Sequence, residues 1–221
     1  RPTYWDGRRG LFSILLLPVS WVYRGLTILH RKITQPIETQ CFIICVGNAV
    51  AGGAGKTPTC LAIMDMIKNN KTCFLSKNYK GLMKEPHLIQ EGDRYPDIGD
   101  EALLLAKEGP TIIARDRRAG IRLAEANGFD VVIMDDGYQN PTIKPDLRIL
   151  VMGGEGNGRL LPAGPLRQPL AEAKNWADAV IDTPVAEVVP PLPDTNKAYT
   201  AFSGIARPQK FFQTLRDQGY T

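Results

Sequence analysis

From residue 41 onward the chain alternates between two hydrophobic rhythms. CFIICV at 41–46 is a continuous apolar run, as expected of a strand covered on both faces, and a glycine-rich turn follows it. PTCLAIMDMIKNN then spaces its apolar residues as one face of a helix. The rhythm repeats: KTCFLS reads as a strand, EALLLAKE as a helix, TIIA as a strand, RRAGIRLAEAN as a helix ending near Gly128, and DVVIM as a strand. Residues Ile149–Met152, then AVID and AYTAFS, add strand candidates on either side of a glycine- and proline-rich loop at 153–169. Strands alternating with helices predict an α/β fold, a mostly parallel sheet with helices on both faces. Pro184–Pro193 holds four prolines and reads as an extended connector, with a closing helix predicted over Pro208–Gln218.

The first 36 residues follow a different pattern. LFSILLLPVSWVYRGLTIL at 11–29 is apolar but interrupted by Pro18 and Arg24, too short and broken to span a bilayer. No small-residue cleavage site follows it, against a signal peptide. Leu15–Leu17, Trp21, Val22, Leu26 and Leu29 flanked by arginines suit an amphipathic helix lying in a membrane interface, and a helix packed on the domain is the competing reading.

Charge sharpens that contrast. The chain carries +4 overall, yet residues 1–32 hold six Lys/Arg against the single acid Asp6, which leaves the remainder near neutral. Beyond residue 32 there is no basic, aromatic-studded module, so nucleic-acid binding is not expected. The 221 residues suffice for a full core. Cys41, Cys45, Cys60 and Cys73 lie in or beside apolar runs without metal-ligand spacing, and His30 and His87 stand apart from other ligands, which excludes a zinc site or a histidine triad.

The chemistry concentrates in a few motifs. In VGNAVAGGAGKTP at 46–58, glycines between a buried strand and a helix allow backbone amides to turn toward phosphate oxygens. Gly52, Gly53, Ala54, Gly55, Lys56 and Thr57 form a variant phosphate loop, since the usual spacing requires glycine where Val50 stands. Lys56 would reach the β- and γ-phosphates of ATP, and Thr57 would place its hydroxyl on Mg2+. DVVIMDDGYQN at 130–140 is a strand tipped by Asp135 and Asp136, where such enzymes hold magnesium. GDE at 99–101 puts Asp100 and Glu101 at a helix start, a capping position that also offers Asp100 as a general base. Arg115, Arg117, Arg118, Arg159 and Arg167 are available to phosphate, the last two on the stiff loop GNGRLLPAGPLRQP.

These motifs, together with AFSGIARPQKF and the N-terminal YWDGRRGLFSILLLPVSWVYRG, resemble the tetraacyldisaccharide 4′-kinase family in order and spacing over nearly the whole chain. The resemblance implies transfer of the ATP γ-phosphate to an acylated glucosamine disaccharide 1-phosphate at the cytoplasmic face of the bacterial inner membrane. It assigns Lys56 and Thr57 to ATP and magnesium, Asp135 and Asp136 to the metal, Asp100 to base catalysis and Arg167 to the phosphates. It divides the chain into a membrane-interface helix (1–36), a P-loop kinase domain (37–183) and a linker with the start of an incomplete C-terminal lobe (184–221). Departures are SKNYKG where SRGYGR is usual, Asn140 in place of histidine and Gln168 in place of an acid. The end at Thr221 implies that nucleotide binding survives while transfer is poor. A different variant-loop ATPase or GTPase, or a membrane-peripheral nucleotide binder without turnover, are the competing readings; no NKxD sequence supports a GTPase.

Overall fold

A computed structural model describes residues 2–5, 10–51, 55–67, 71–77, 81–153, 156–182 and 216. The chain divides into two units, Arg1–Pro184 and Val185–Thr221. In the second, the strand expected at AYTAFS and most of the helix expected over 208–218 lie outside the described residues; Arg216 is helical.

In the first unit the elements run α1 (Leu11–Leu15), α2 (Leu17–Ile33), β1 (Phe42–Gly47), α3 (Lys56–Ile67), β2 (Thr72–Ser76), β3 (His87–Leu88), α4 (Tyr95–Ile98), α5 (Asp100–Ala106), β4 (Thr111–Ile113), α6 (Arg117–Ala126), β5 (Val131–Asp135), β6 (Leu147–Val151), α7 (Leu170–Trp176) and β7 (Ala179–Ile181). The seven strands order as β3-β4-β2-β5-β1-β6-β7. Every pairing is parallel except that of the two-residue β3 with β4.

Strand alternation sorts the core onto two faces. Ile43 and Cys45 of β1 join Cys73, Leu75, Val132 and Met134 against Ile121 and Ala124 of α6. Ile44 and Val46 join Phe74, Ile133 and Ile149 against Cys60, Ile63 and Met64 of α3 and Leu105 of α5. Helices therefore cover both faces, as the continuous apolar strands require. Each of the isoleucine, leucine, valine, phenylalanine and methionine side chains contributes about 1.5–3 kcal/mol by leaving water. All four cysteines are free and buried, and burial pushes the Cys45 and Cys73 thiols up to about 12.

Local signals set the ends of these elements. Asp116 caps α6 by accepting from the Arg118 amide, and Gly128, at φ 77°, takes the left-handed turn just past the helix. Pro18 sits in the first turn of α2, where it costs no helix hydrogen bond, so it separates α1 from α2 instead of breaking the segment.

The N-terminal helices are polar inward and apolar outward. Ser13 and Ser20 are buried, and their hydroxyls donate to the carbonyls of Ala163 and Leu160 in the 157–169 loop. Arg24 and Arg31 both pair with Glu172 of α7. Leu11, Phe12, Leu15, Trp21, Val22, Leu26 and Leu29 point outward, with Trp21 70% exposed. Among the described residues no helix is long and apolar enough to cross a membrane.

Candidate active site

The site forms because β5 inserts between β1 and β2. Register pairs Val46 of β1 with Asp135 of β5, so the acid-tipped strand ends beside the strand that leads toward the glycine-rich sequence before α3. Gly55, at φ 82°, turns the chain into α3, whose first two residues are Lys56 and Thr57. Gly52, Gly53 and Ala54 lie outside the described residues. On the far side, Ala51 donates its amide to the Pro165 carbonyl and Arg167 donates its own to Ala49, each at 2.8 Å, which delivers Arg167 to the same place.

Three hydrogen-bonded or ion-paired contacts define the centre. Thr57 Oγ1 donates to Asp135 Oδ2 at 3.0 Å. Lys56 Nζ lies 3.5 Å from Asp136 Oδ1, and Arg167 donates to the same oxygen at 2.9 Å. Their surroundings shift the two neighbouring carboxylates in opposite directions. Burial, only partly offset by Lys56 and the Thr57 hydroxyl, pushes Asp135 up to about 6. Burial acts the same way on Asp136, but Lys56 and Arg167 together with Arg117 outweigh it and hold that carboxyl below its usual range.

Backbone geometry separates the pair. Asp136 adopts φ 58°, a left-handed conformation that aspartate tolerates at a cost of about 1 kcal/mol or more. The buried Arg117 guanidinium clamps that turn by donating to the Asp135 and Asp136 carbonyls. The chain then passes directly over β1: a Cβ on Gly47 would sit 2.4 Å from the Tyr138 Cβ, so only glycine lets the two segments approach so closely.

Asp135 Oδ1 is buried and has no hydrogen-bond partner, while Oδ2 takes the Thr57 hydroxyl. A carboxylate oxygen left bare beside a hydroxyl is a hard-oxygen donor set suited to Mg2+, which takes one or two protein ligands and draws the rest from phosphate and water. No group of three or more His, Cys, Asp or Glu side chains gathers as a metal site among the described residues, in keeping with so sparse a donor set.

The motifs thus converge, with one member apart. Lys56, Thr57, Asp135, Asp136 and Arg167 form one cluster. Asp100 is the first residue of α5, is exposed, and its Oδ1 accepts from the Glu101 amide; the helix N-cap is Gly99, so the expected side-chain cap is not formed. Of the five arginines singled out, Arg117 and Arg167 reach the acid pair. Arg115 donates to the Gly81 carbonyl, Arg118 to that of Gln35 and Arg159 to Ser13 Oγ. Sequence reasoning missed Asn157, whose amide donates to the Tyr4 and Ala163 carbonyls and to Ser13, tying the N-terminal helices to the loop that carries Arg167. Its place in a glycine-rich loop was the only available signal.

Residues 12–187 match the family described as tetraacyldisaccharide-1-P 4′-kinase. The chain belongs to the tetraacyldisaccharide 4′-kinase family. Similar relatives include the tetraacyldisaccharide 4′-kinases of Methylorubrum extorquens, 40% identical over 93% of this chain and 71% of that protein, and of Rhodospirillum rubrum, 38% identical over 99% of this chain and 75% of that protein. The fold is similar to the crystal structure of LpxK from Aquifex aeolicus in complex with ATP, with a TM-score of 0.76 and 25% identity over 95% of this chain and 79% of that one. Membership in a tetraacyldisaccharide 4′-kinase family accounts for a glycine-rich Gly-Lys-Thr sequence, an acid-tipped neighbouring strand and a proline-rich arginine loop occurring together. It disfavours the competing GTPase and turnover-free readings.

Proposed function

We propose that this chain transfers the γ-phosphoryl group of ATP to the 4′-hydroxyl of a tetraacylated glucosamine disaccharide 1-phosphate. The observation that carries the reading is the convergence of Lys56, Arg167 and Thr57 on the Asp135–Asp136 pair. In the reaction the acceptor oxygen forms a bond to the γ-phosphorus, the bond from that phosphorus to the β,γ-bridging oxygen breaks, and ADP leaves. Such transfer depends on positioning and charge stabilisation far more than on covalent help from the protein.

Lys56 and Arg167 supply fixed positive charge to the phosphoryl oxygens, and Asp136 holds both cations in place. Thr57 and Asp135 would hold Mg2+, which supplies charge neutralisation on the β- and γ-phosphates. Asp100 takes the proton of the acceptor hydroxyl. Its exposure leaves it open to a bulky acceptor, and α5 packs against α3, the helix bearing Lys56 and Thr57. Arg117 keeps the acid pair oriented through the backbone. Lys56→Ala should abolish transfer in an assay with ATP, magnesium and the acylated disaccharide; undiminished turnover in the folded variant would refute the assignment.

The same reading places the protein on the cytoplasmic face of the inner membrane. An apolar face on α1 and α2, backed by serines and arginines that bind the body, supports peripheral insertion at the depth where the acceptor's acyl chains lie.

A further inference from the structure

A cavity of about 320 Å³ opens at the C-terminal end of α2, bounded by the loop after β5 and by α7. Its lining includes Arg31, Lys144 and Arg148, the aromatic rings of Tyr138 and Trp176, and the amide of Asn140; no carboxylate is among its lining residues. Three of its lining side chains are cationic, and Asp146, which lies between Lys144 and Arg148 in sequence, is turned to the Ile43 amide instead. Arg31 is fixed by stacking 4.0 Å over the Trp176 ring and by pairing with Glu172, which already serves Arg24 as well. Lys144 and Arg148 form no side-chain ion pair among the described residues, and Asp178 takes the backbone amide of Arg148. A concave site with a pre-ordered guanidinium, two further cations and neutral donors suits a phosphate group, which arginine recognises through paired N–H donors.

Position decides the source of that phosphate. Arg31 lies in the last turn of α2, with His30 and Lys32, beside the outward-pointing Leu29 and Ile33. If the apolar face of α2 lies in the acyl boundary, the cavity mouth stands at headgroup level. We propose that this cavity binds the phosphate headgroup of an anionic bilayer lipid, separately from the nucleotide centre; the proposal rests on the peripheral-membrane reading above. It gives the helix a second anchor, charge at its C-terminal end beside apolar burial along its length.

The test is sedimentation of the full chain with vesicles of phosphatidylcholine alone, or with phosphatidic acid or oleate added at matched surface charge, for the wild type, Lys144→Ala and Lys144→Ala/Arg148→Gln. Selective retention on phosphatidic acid over oleate is expected, falling about 10- to 30-fold in the double variant, since each basic residue near the surface contributes roughly a factor of five. ATP affinity, measured in parallel, reports that the variants are folded. Equal loss on phosphatidic acid and oleate vesicles overturns the proposal in favour of diffuse charge attraction. A variant whose KM for the acylated disaccharide rises in neutral detergent while its vesicle binding is unchanged overturns it in favour of the acceptor's own phosphate. If the wild type ignores every vesicle, the membrane reading fails. Glycerol phosphate titrated into wild type and double variant then shows whether the cavity is a soluble-phosphate site, which overturns the lipid assignment alone.

Discussion

Replacing Asp135 with asparagine should make the nucleotide-free protein more stable near neutral pH while removing most of its activity. Asp135 is 5% exposed, its Oδ1 has no partner, and burial pushes its carboxyl from the ordinary 3.8 to about 6. A carboxyl raised in the folded state favours folding below its unfolded pKa, and that advantage is lost as the pH rises through the folded value. The shift of roughly two units corresponds to about 3 kcal/mol, spent in full above about pH 6 and absent below about pH 4. Asparagine keeps the shape and can still accept the Thr57 hydroxyl, although the bond to a neutral acceptor is weaker by about 1 kcal/mol. The expected net gain is ~1–2 kcal/mol, or a rise in Tm of about 2–8 °C for a chain of this size. Thermal denaturation across pH, with chelator and without nucleotide, measures it. The curves of variant and parent should converge in acid and separate as the pH rises through the window. A destabilised variant at neutral pH, or a difference independent of pH, would refute the idea that Asp135 is an inadequately solvated charge held for a cation.

Three other outcomes follow from named contacts. Asp100→Asn should leave ATP affinity unchanged by titration calorimetry while turnover falls ~10²–10⁴-fold, the usual range for a lost general base; a large loss of ATP affinity would reassign Asp100 to the nucleotide. Trp21→Glu with Leu26→Glu should abolish binding to neutral vesicles without lowering Tm, because both side chains already face outward. A marked fall in Tm would mean that the helix is packed rather than peripheral. Gly47→Ala should cost at least ~1–3 kcal/mol in chemical denaturation, since its methyl would meet the Tyr138 Cβ at 2.4 Å and both partners are backbone-anchored; near-neutral stability would show that the turn after β5 can move.

The hydrophobic rhythm of the chain was enough to establish the α/β class, because strands covered on both faces must be continuous apolar runs and their crossover helices must be amphipathic. It placed β1, β2, β4, β5, β6 and β7 to within a residue or two. It missed β3 and α4, of two and four residues and too short to show a period, and α7, whose alanines and single lysine give a weak apolar stripe. The glycine turn into α3 and the acid tip of β5 were legible because each is contiguous in sequence: Gly55 takes a positive φ just before the helix, and Asp135 ends an apolar run with Asp136 directly after it. Strand order was not, since it depends on which faces pack together across the sheet. Only the tertiary structure inserted β5 between β1 and β2 and so set Asp135 against Thr57 across 78 positions of sequence. It also separated arginines that look alike in sequence: Arg117 and Arg167 converge on the acid pair, whereas Arg115, Arg118 and Arg159 satisfy carbonyls and a hydroxyl elsewhere. Periodicity records which side of an element is apolar, but the partner that a long charged side chain finds is decided by the folds of chain brought beside it.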